Sequence, residues 1–237
     1  MRIFHYTNIE TLALILKNRT IRFSRLDTVD DPIEYGFIMD NHNPAKYTYV
    51  SCWTKNNKEV IPQWIIYGNH RHGVRISMEN DIFKIHEESG KRYLLPNSEL
   101  TTKDYITTPI LSDDKLFYDI EYVQDPKSYI TNIFKNIDEE RKGIDMKYIG
   151  LYKGLDWTFQ KECRFRLFAF PKNKHLSFAI ENNIYPNERF IDVPIQESAF
   201  KSIEIMLGPD VSTAEQIIVE SLSKEFLGSN KIINSNL

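Results

Sequence analysis

The chain has 237 residues, 41% apolar and 13% aromatic, enough to bury a sizeable core. Its net charge of −3 and pI near 6.1 do not suit an electrostatic DNA binder, although a local basic patch stays open. No run approaches the roughly 18 apolar residues of a membrane helix, and "MRIFHYTNIE" carries neither the apolar core nor the cleavage site of a signal peptide, so a cytoplasmic protein is expected.

"RIFHY", residues 2–6, reads as an opening strand. A helix is predicted over 7–18, where Thr7 and Glu10 have capping-box spacing and Ile9, Leu12, Ala13 and Leu16 line one face. "TIRFS" (20–24) is a short alternating strand, and 25–36 an acidic loop turned by Pro32. "YTYVSCW" (47–53) is a strong strand of aromatic and β-branched residues. "PQWIIYGNH" (62–70) is a short helix with Pro62 in its first turn, and "GVRIS" (73–77) another strand. "KRYLLP" (91–96) and "KLFYDIEYV" (115–123) read as strands, 129–143 as an amphipathic helix and 146–154 as a further helix. "LDWTFQKECRFRLFAF" (155–170) holds a strand that is expected to begin near Gln160. "RFIDVP" and "KSIEIMLGP" precede a last helix over 213–228, with Gly228 as its stop.

No repeat, low-complexity tract or long linker divides the chain, so one domain over 1–237 is expected. Strands outnumber helices without regular alternation. The predicted class is α+β, with a mixed or antiparallel sheet core and flanking helices. No G-x-G-x-x-G motif and no P-loop is present. Cys52 and Cys163 each fall inside a strand and read as free buried thiols. The six histidines are scattered and His70 and His72 sit in a polar loop, so no metal is expected.

Four constellations can carry chemistry. His5 and Thr7 point to one face of the opening strand, directly before a helix N-terminus that favours phosphate. The same residues equally describe a packed strand histidine and an N-cap. Trp53, Trp64 and Tyr67 surround a polar loop and can stack a flat ring, or simply build a core. Gln160, Glu162, Arg164 and Arg166 would share one strand face, either as a site built on an ionised Glu162 or as a surface ladder of ion pairs. Asp30, Asp31 and Glu34 can hold a cation or form an acidic turn around Pro32.

Taken in order, "HYT…L..IL…IRFS", "DDPIE", "SCWT", "W..Y.....GV.I", "K...W.FQKE.R" and "I.LGP" resemble the bacterial domain-of-unknown-function family 2971 from His5 to Pro209. Asp30, Phe159 and Gln160 stand where that family usually has Asn, Tyr and Glu, while Glu162 keeps the late glutamate. More distantly the layout is similar to ADP-ribosyltransferases, including DNA-modifying toxins, in which one late Glu does the chemistry.

That second resemblance implies a bent NAD substrate in a split sheet, without a metal. His5 would meet the adenosine ribose, with Tyr6 and Thr7 beside it. Trp53 or Tyr67 would stack the nicotinamide, with Trp64 in the same block, and Arg22 or Arg164 would pair with the pyrophosphate. Glu162 would hold the nicotinamide ribose and stabilise the charge that builds as nicotinamide leaves, and Gln160 would orient the acceptor. The acceptor would be a protein or nucleic acid, and an antitoxin or immunity protein the partner of a toxin or phage-defence effector. The alternatives are a non-catalytic nucleotide or nucleic-acid binding module, and a metal-dependent hydrolase or nuclease built on Asp31, Glu34 and Glu162.

Overall fold

The computed structural model describes residues 1–35, 42–96, 99–100, 103–109, 116–130, 134–136, 142–144, 146–174, 176–228 and 231–237. Strand β1 (Arg2–Thr7) leads into helix α1 (Ile9–Asn18) and strand β2 (Thr20–Arg25). Thr7 is the last residue of β1, and the N-cap is Asn8, whose side chain accepts from the Thr11 N–H at 2.7 Å. The predicted capping role of Thr7 is thus displaced by one residue, because Asn8 holds the extended backbone an N-cap needs. Arg19 ends α1 in a left-handed conformation (φ 53°) and donates to the Ile15 carbonyl.

The expected acidic loop contains a short helix α2 (Pro32–Tyr35). Strand β3 (Thr48–Thr54) and strand β4 (Val74–Glu79) follow as predicted within a residue or two, while helix α3 (Ile61–Ile66) between them ends four residues earlier than expected, with Tyr67 as its C-cap. The middle is made of short pieces: β5 (His86–Glu88), β6 (Lys91–Tyr93), β7 (Tyr105–Thr107), β8 (Phe117–Asp119), β9 (Glu121–Val123) and α4 (Pro126–Ile130). The predicted strand over 115–123 is two strands in different sheets, β8 against the main sheet and β9 apart from it; Lys115 lies outside the described residues.

The helix predicted over 129–143 is corrected. Its first residues end α4, while β10 (Phe134–Asn136) and β11 (Lys142–Ile144) pair as an antiparallel hairpin; 131–133 and 137–141 lie outside the described residues. The apolar positions that mimic a helical stripe there are Ile and Phe, side chains that fit a pleated strand as well as they fit a helix. The helix predicted over 146–154 is corrected as well. A 3-10 turn (Met146–Tyr148) is stopped by Gly150 at φ 71°, and β12 (Tyr152–Gly154) runs parallel to β9.

The long strand β13 (Glu162–Pro171) starts two residues later than expected. Leu155–Gln160 is a 3-10 helix, and Lys161 (φ 43°) reverses the chain between Gln160 and Glu162. Helix α5 (Leu176–Glu181), strand β14 (Phe190–Pro194), helix α6 (Glu197–Lys201), strand β15 (Glu204–Leu207), helix α7 (Thr213–Leu227) and strand β16 (Ile232–Asn234) complete the described chain. Ser212 and Glu215 close a capping box on α7, and Gly228 (φ 67°) ends it as predicted.

Among the described residues, ten strands form one mixed sheet in the order β14-β2-β3-β1-β4-β15-β16, with β13 pairing β3, β7 and β8. Only β15 and β16 run parallel within it. One face packs under α1 and α7, where Leu12, Ile15, Leu16 and Val219 join Ile3, Ile76, Trp53, Phe165 and Ile205 in the main apolar cluster. At roughly 25 cal/mol per Å² of apolar area buried, this cluster is the chief stabiliser. The other face of β3 carries a smaller cluster of Leu26, Ala45, Val50 and Ile149. The chain is therefore α+β with a mixed sheet. Among the described residues no helix is long and apolar enough to cross a membrane.

Candidate active site

The site grows out of an interruption in the sheet. One edge of β3 pairs β13 in an unbroken ladder from Thr48 to Thr54. The other edge is shared: β2 pairs with Tyr49 and Val50, and β1 only with Thr54. Residues 51–53 of β3 thus have no ladder partner on that edge, and β2 and β1 diverge around them. The His5 ring fills the gap, with its Nδ1 2.8 Å from the Cys52 carbonyl. A carbonyl only accepts, so Nδ1 carries the proton and the neutral ring keeps Nε2 as an acceptor. Burial holds the imidazole below its ordinary pKa of 6.5, against the opposing pull of that carbonyl.

The gap opens into a cleft of about 250 Å³ walled by β1, β2, β3, α3, β12 and the start of β13. Trp53 lies against His5 with ring centroids 5.1 Å apart, and its indole N–H donates to Ser51 Oγ at 3.0 Å. Across the cleft the Tyr67 hydroxyl accepts from Gln160 Nε2 at 2.7 Å, and Asp30 lines the same wall. Burial, then Asp30, push the Tyr67 phenol upward, so it stays protonated.

Below this lies a buried quartet of charges. Lys153 Nζ donates to Gln160 Oε1 and Glu162 Oε2, both at 2.8 Å, and stands 3.3 Å from Glu34 Oε1. Arg164 donates from Nε to Glu162 Oε1 and from Nη1 and Nη2 to Glu34, with Nη1 also reaching the Gly150 carbonyl at 3.1 Å. All four side chains are at most 5% exposed. Burial alone would push the Glu162 carboxyl up; the charges of Arg164 and Lys153 and their hydrogen bonds outweigh it and hold it at about 2. The charges of Glu162, Arg164 and Arg166 are therefore not a surface ladder. They lie on one face of a strand that is buried on both faces, and each has interior partners.

His5, Tyr6, Arg22, Trp53, Tyr67, Gln160 and Glu162 all line this one cleft. Gln160 does not share a strand face with Glu162 as expected. It ends the 3-10 helix, and the two side chains meet because Lys161 turns the chain and Lys153 binds both. Arg22 sits at the rim, held bidentately by Asp192 (2.9 and 3.0 Å) and stacked 3.5 Å from the Phe190 ring centroid.

Three expected positions fall outside the cleft lining. Thr7 is buried at the end of β1. Trp64 is wholly buried, edge-on to Tyr6, with its indole N–H donating to Glu59 at 3.0 Å. Arg164 is fully enclosed by the two glutamates and a carbonyl, so its role is internal pairing.

Glu34 and Glu162 direct their carboxylates at Arg164 and Lys153, and Asp31 Oδ1 accepts from the Ile33 N–H at 2.9 Å. The trio proposed for a metal thus does not converge on an open position. Among the described residues no group of three or more His, Cys, Asp or Glu is placed to hold a metal ion. Cys52 and Cys163 are both free thiols.

Sequence reasoning missed Lys153 and Gln63. Lys153 lies in "YKG", at the end of the stretch read as a helix, and Gln63 is the one polar side chain of the short α3. Both line the cleft, and both are at least 95% buried. The chain matches no protein family, no curated protein and no solved structure with which it was compared.

Proposed function

We propose that the chain is an NAD-using, ADP-ribosyltransferase-like enzyme whose reaction takes place in this cleft. The observation that carries the reading is convergence: residues 5, 6, 22, 53, 67, 160 and 162, chosen for NAD chemistry from separate motifs, line one cavity at a break in a sheet. NAD supplies a glycosidic bond to nicotinamide whose cleavage leaves positive charge on the ribose carbon. Glu162 remains ionised at neutral pH and has a lone pair left on each oxygen for a ribose hydroxyl to donate to. His5 Nε2 accepts from a second ribose hydroxyl. Trp53 and Tyr67 are the aromatic walls for the flat rings, and Arg22 keeps N–H groups beyond the Asp192 pair for a phosphate at the rim. Gln160 holds the pair in register through Lys153 and Tyr67. This reading carries with it a cytoplasmic location, a protein or nucleic-acid acceptor, and an antitoxin or immunity protein as the partner of a toxin.

A second reading, a non-catalytic nucleotide-binding module, is favoured by the neutrality of the quartet. Lys153 and Arg164 cancel much of the field that Glu162 would offer a developing cation. The two readings separate in one experiment. Purified protein is incubated with NAD, with and without cell lysate, and free nicotinamide is followed. Enzyme action predicts release that Glu162→Gln lowers roughly a hundredfold or more, with circular dichroism confirming that the variant is folded. Saturable NAD binding with no release establishes the binding module, and release unaffected by Glu162→Gln overturns the assigned role.

A further inference from the structure

We infer that Gln63 reads the carboxamide of the ligand through its side-chain oxygen. This rests on the NAD reading of the cleft and goes beyond it by assigning the nicotinamide end to a residue no motif indicated. Gln63 stands in the first turn of α3, is 5% exposed and lines the cleft. Its Nε2 donates to the Gln160 backbone carbonyl at 3.1 Å. Because a carbonyl only accepts, that bond fixes which end of the amide is which. The other end, Oε1, is shielded from solvent and meets no donor among the described residues.

An unmatched buried acceptor is costly, and a protein that keeps one in a cleft wall is arranged for a donor that arrives from outside. Two donor side chains that line the cleft are engaged elsewhere. Lys153 faces Gln160 and Glu162, and Gln160 Nε2 faces Tyr67. The cleft-lining residues Glu162, His5 and Gln63 thus keep acceptor capacity, which calls for a ligand rich in donors. Ribose hydroxyls satisfy the first two, and the N–H₂ of a ring-bound carboxamide satisfies Gln63.

The test compares NAD with its 3-acetylpyridine analogue, in which a methyl ketone replaces the carboxamide and only the N–H donor is lost. Binding is measured by calorimetry on the wild type and on Gln63→Met. The wild type is expected to bind NAD roughly tenfold or more tighter than the analogue, the scale of one unmatched buried group. Gln63→Met is expected to bring the two affinities together. Equal wild-type affinities overturn the inference without any variant, as does a preference that survives in Gln63→Met. If adenosine competes in a manner that depends on Gln63 while the two dinucleotides bind alike, the oxygen serves the adenine amine and the inference falls. Absence of NAD binding by the folded wild type removes the underlying reading as well, whereas equal binding of both dinucleotides removes the inference alone.

Discussion

Replacing Lys153 by Met removes one charge from a quartet that is neutral as it stands. Glu34 and Glu162 are then left to share Arg164 in the interior. Breaking a buried pair from one side costs about 3–5 kcal/mol, a large share of the roughly 5–15 kcal/mol that holds a domain folded. The Glu162 carboxyl points the same way: it lies at about 2 against an ordinary 4.5, because the charges of Arg164 and Lys153 outweigh its burial. Because this pKa is depressed in the folded state, its contribution to stability is complete above pH 4.5 and is lost as pH falls through about 2. Without Lys153 the burial that pushes the carboxyl up has one opposing cation fewer. The stability gap between wild type and Lys153→Met is therefore widest at pH 7 and narrows on acidification from pH 4.5 towards 2. Urea unfolding followed by tryptophan fluorescence at pH 7, 4.5 and 3 measures the gap, and Trp157, whose ring centroid lies 4.8 Å from Lys153 Nζ, is a local reporter. A gap below about 1 kcal/mol at pH 7, or one that stays constant with acid, refutes the coupling argued from this geometry.

Two further outcomes follow from the site and its approach. His5 stays neutral as the Nδ1–H tautomer at pH 6.5, visible in ¹⁵N imidazole shifts, since burial lowers its pKa and Cys52 accepts from Nδ1. The unfolded chain takes up that proton first, so stability falls as pH drops below 6.5; a ring that titrates at or above 6.5 in the folded protein contradicts the assignment. Asn8→Ala removes the cap of α1 and lowers stability by about 1 kcal/mol, while Thr7→Val changes it by less than half as much; the reverse order returns the cap to Thr7.

Strands β1, β2 and β3 are legible in the sequence because their aromatic and β-branched residues lie in short runs bounded by turn signals. The last helix is legible through its stop at Gly228. The middle resists because its elements are three to five residues long, too short for a period to be read. Ile and Phe at 130–137 fit a helical stripe and a strand equally well. The candidate cleft is legible in its parts: His5, Trp53, Tyr67 and Glu162, singled out from separate motifs, line one cavity. Lys153 and Gln63 escape notice because nothing local marks a buried lysine or glutamine. One signal was present: "ECRFRLFAF" turns apolar on both faces at Phe168–Phe170, which marks a doubly buried strand whose three charges require partners from elsewhere in the chain.

The balance of two anions and two cations also restricts how this sequence can drift. A substitution that discharges position 162 leaves a surplus cation beside Glu34, and one that discharges position 153 leaves a surplus anion. The passable routes change both together, for example to Gln and Met, so that the interior never carries a net charge. Descendants of a common ancestor should accordingly show 153 and 162 altering as a pair, with 34 and 164 altering as another. A lineage that loses Glu162 and Lys153 in the same step would keep the sheet that surrounds them.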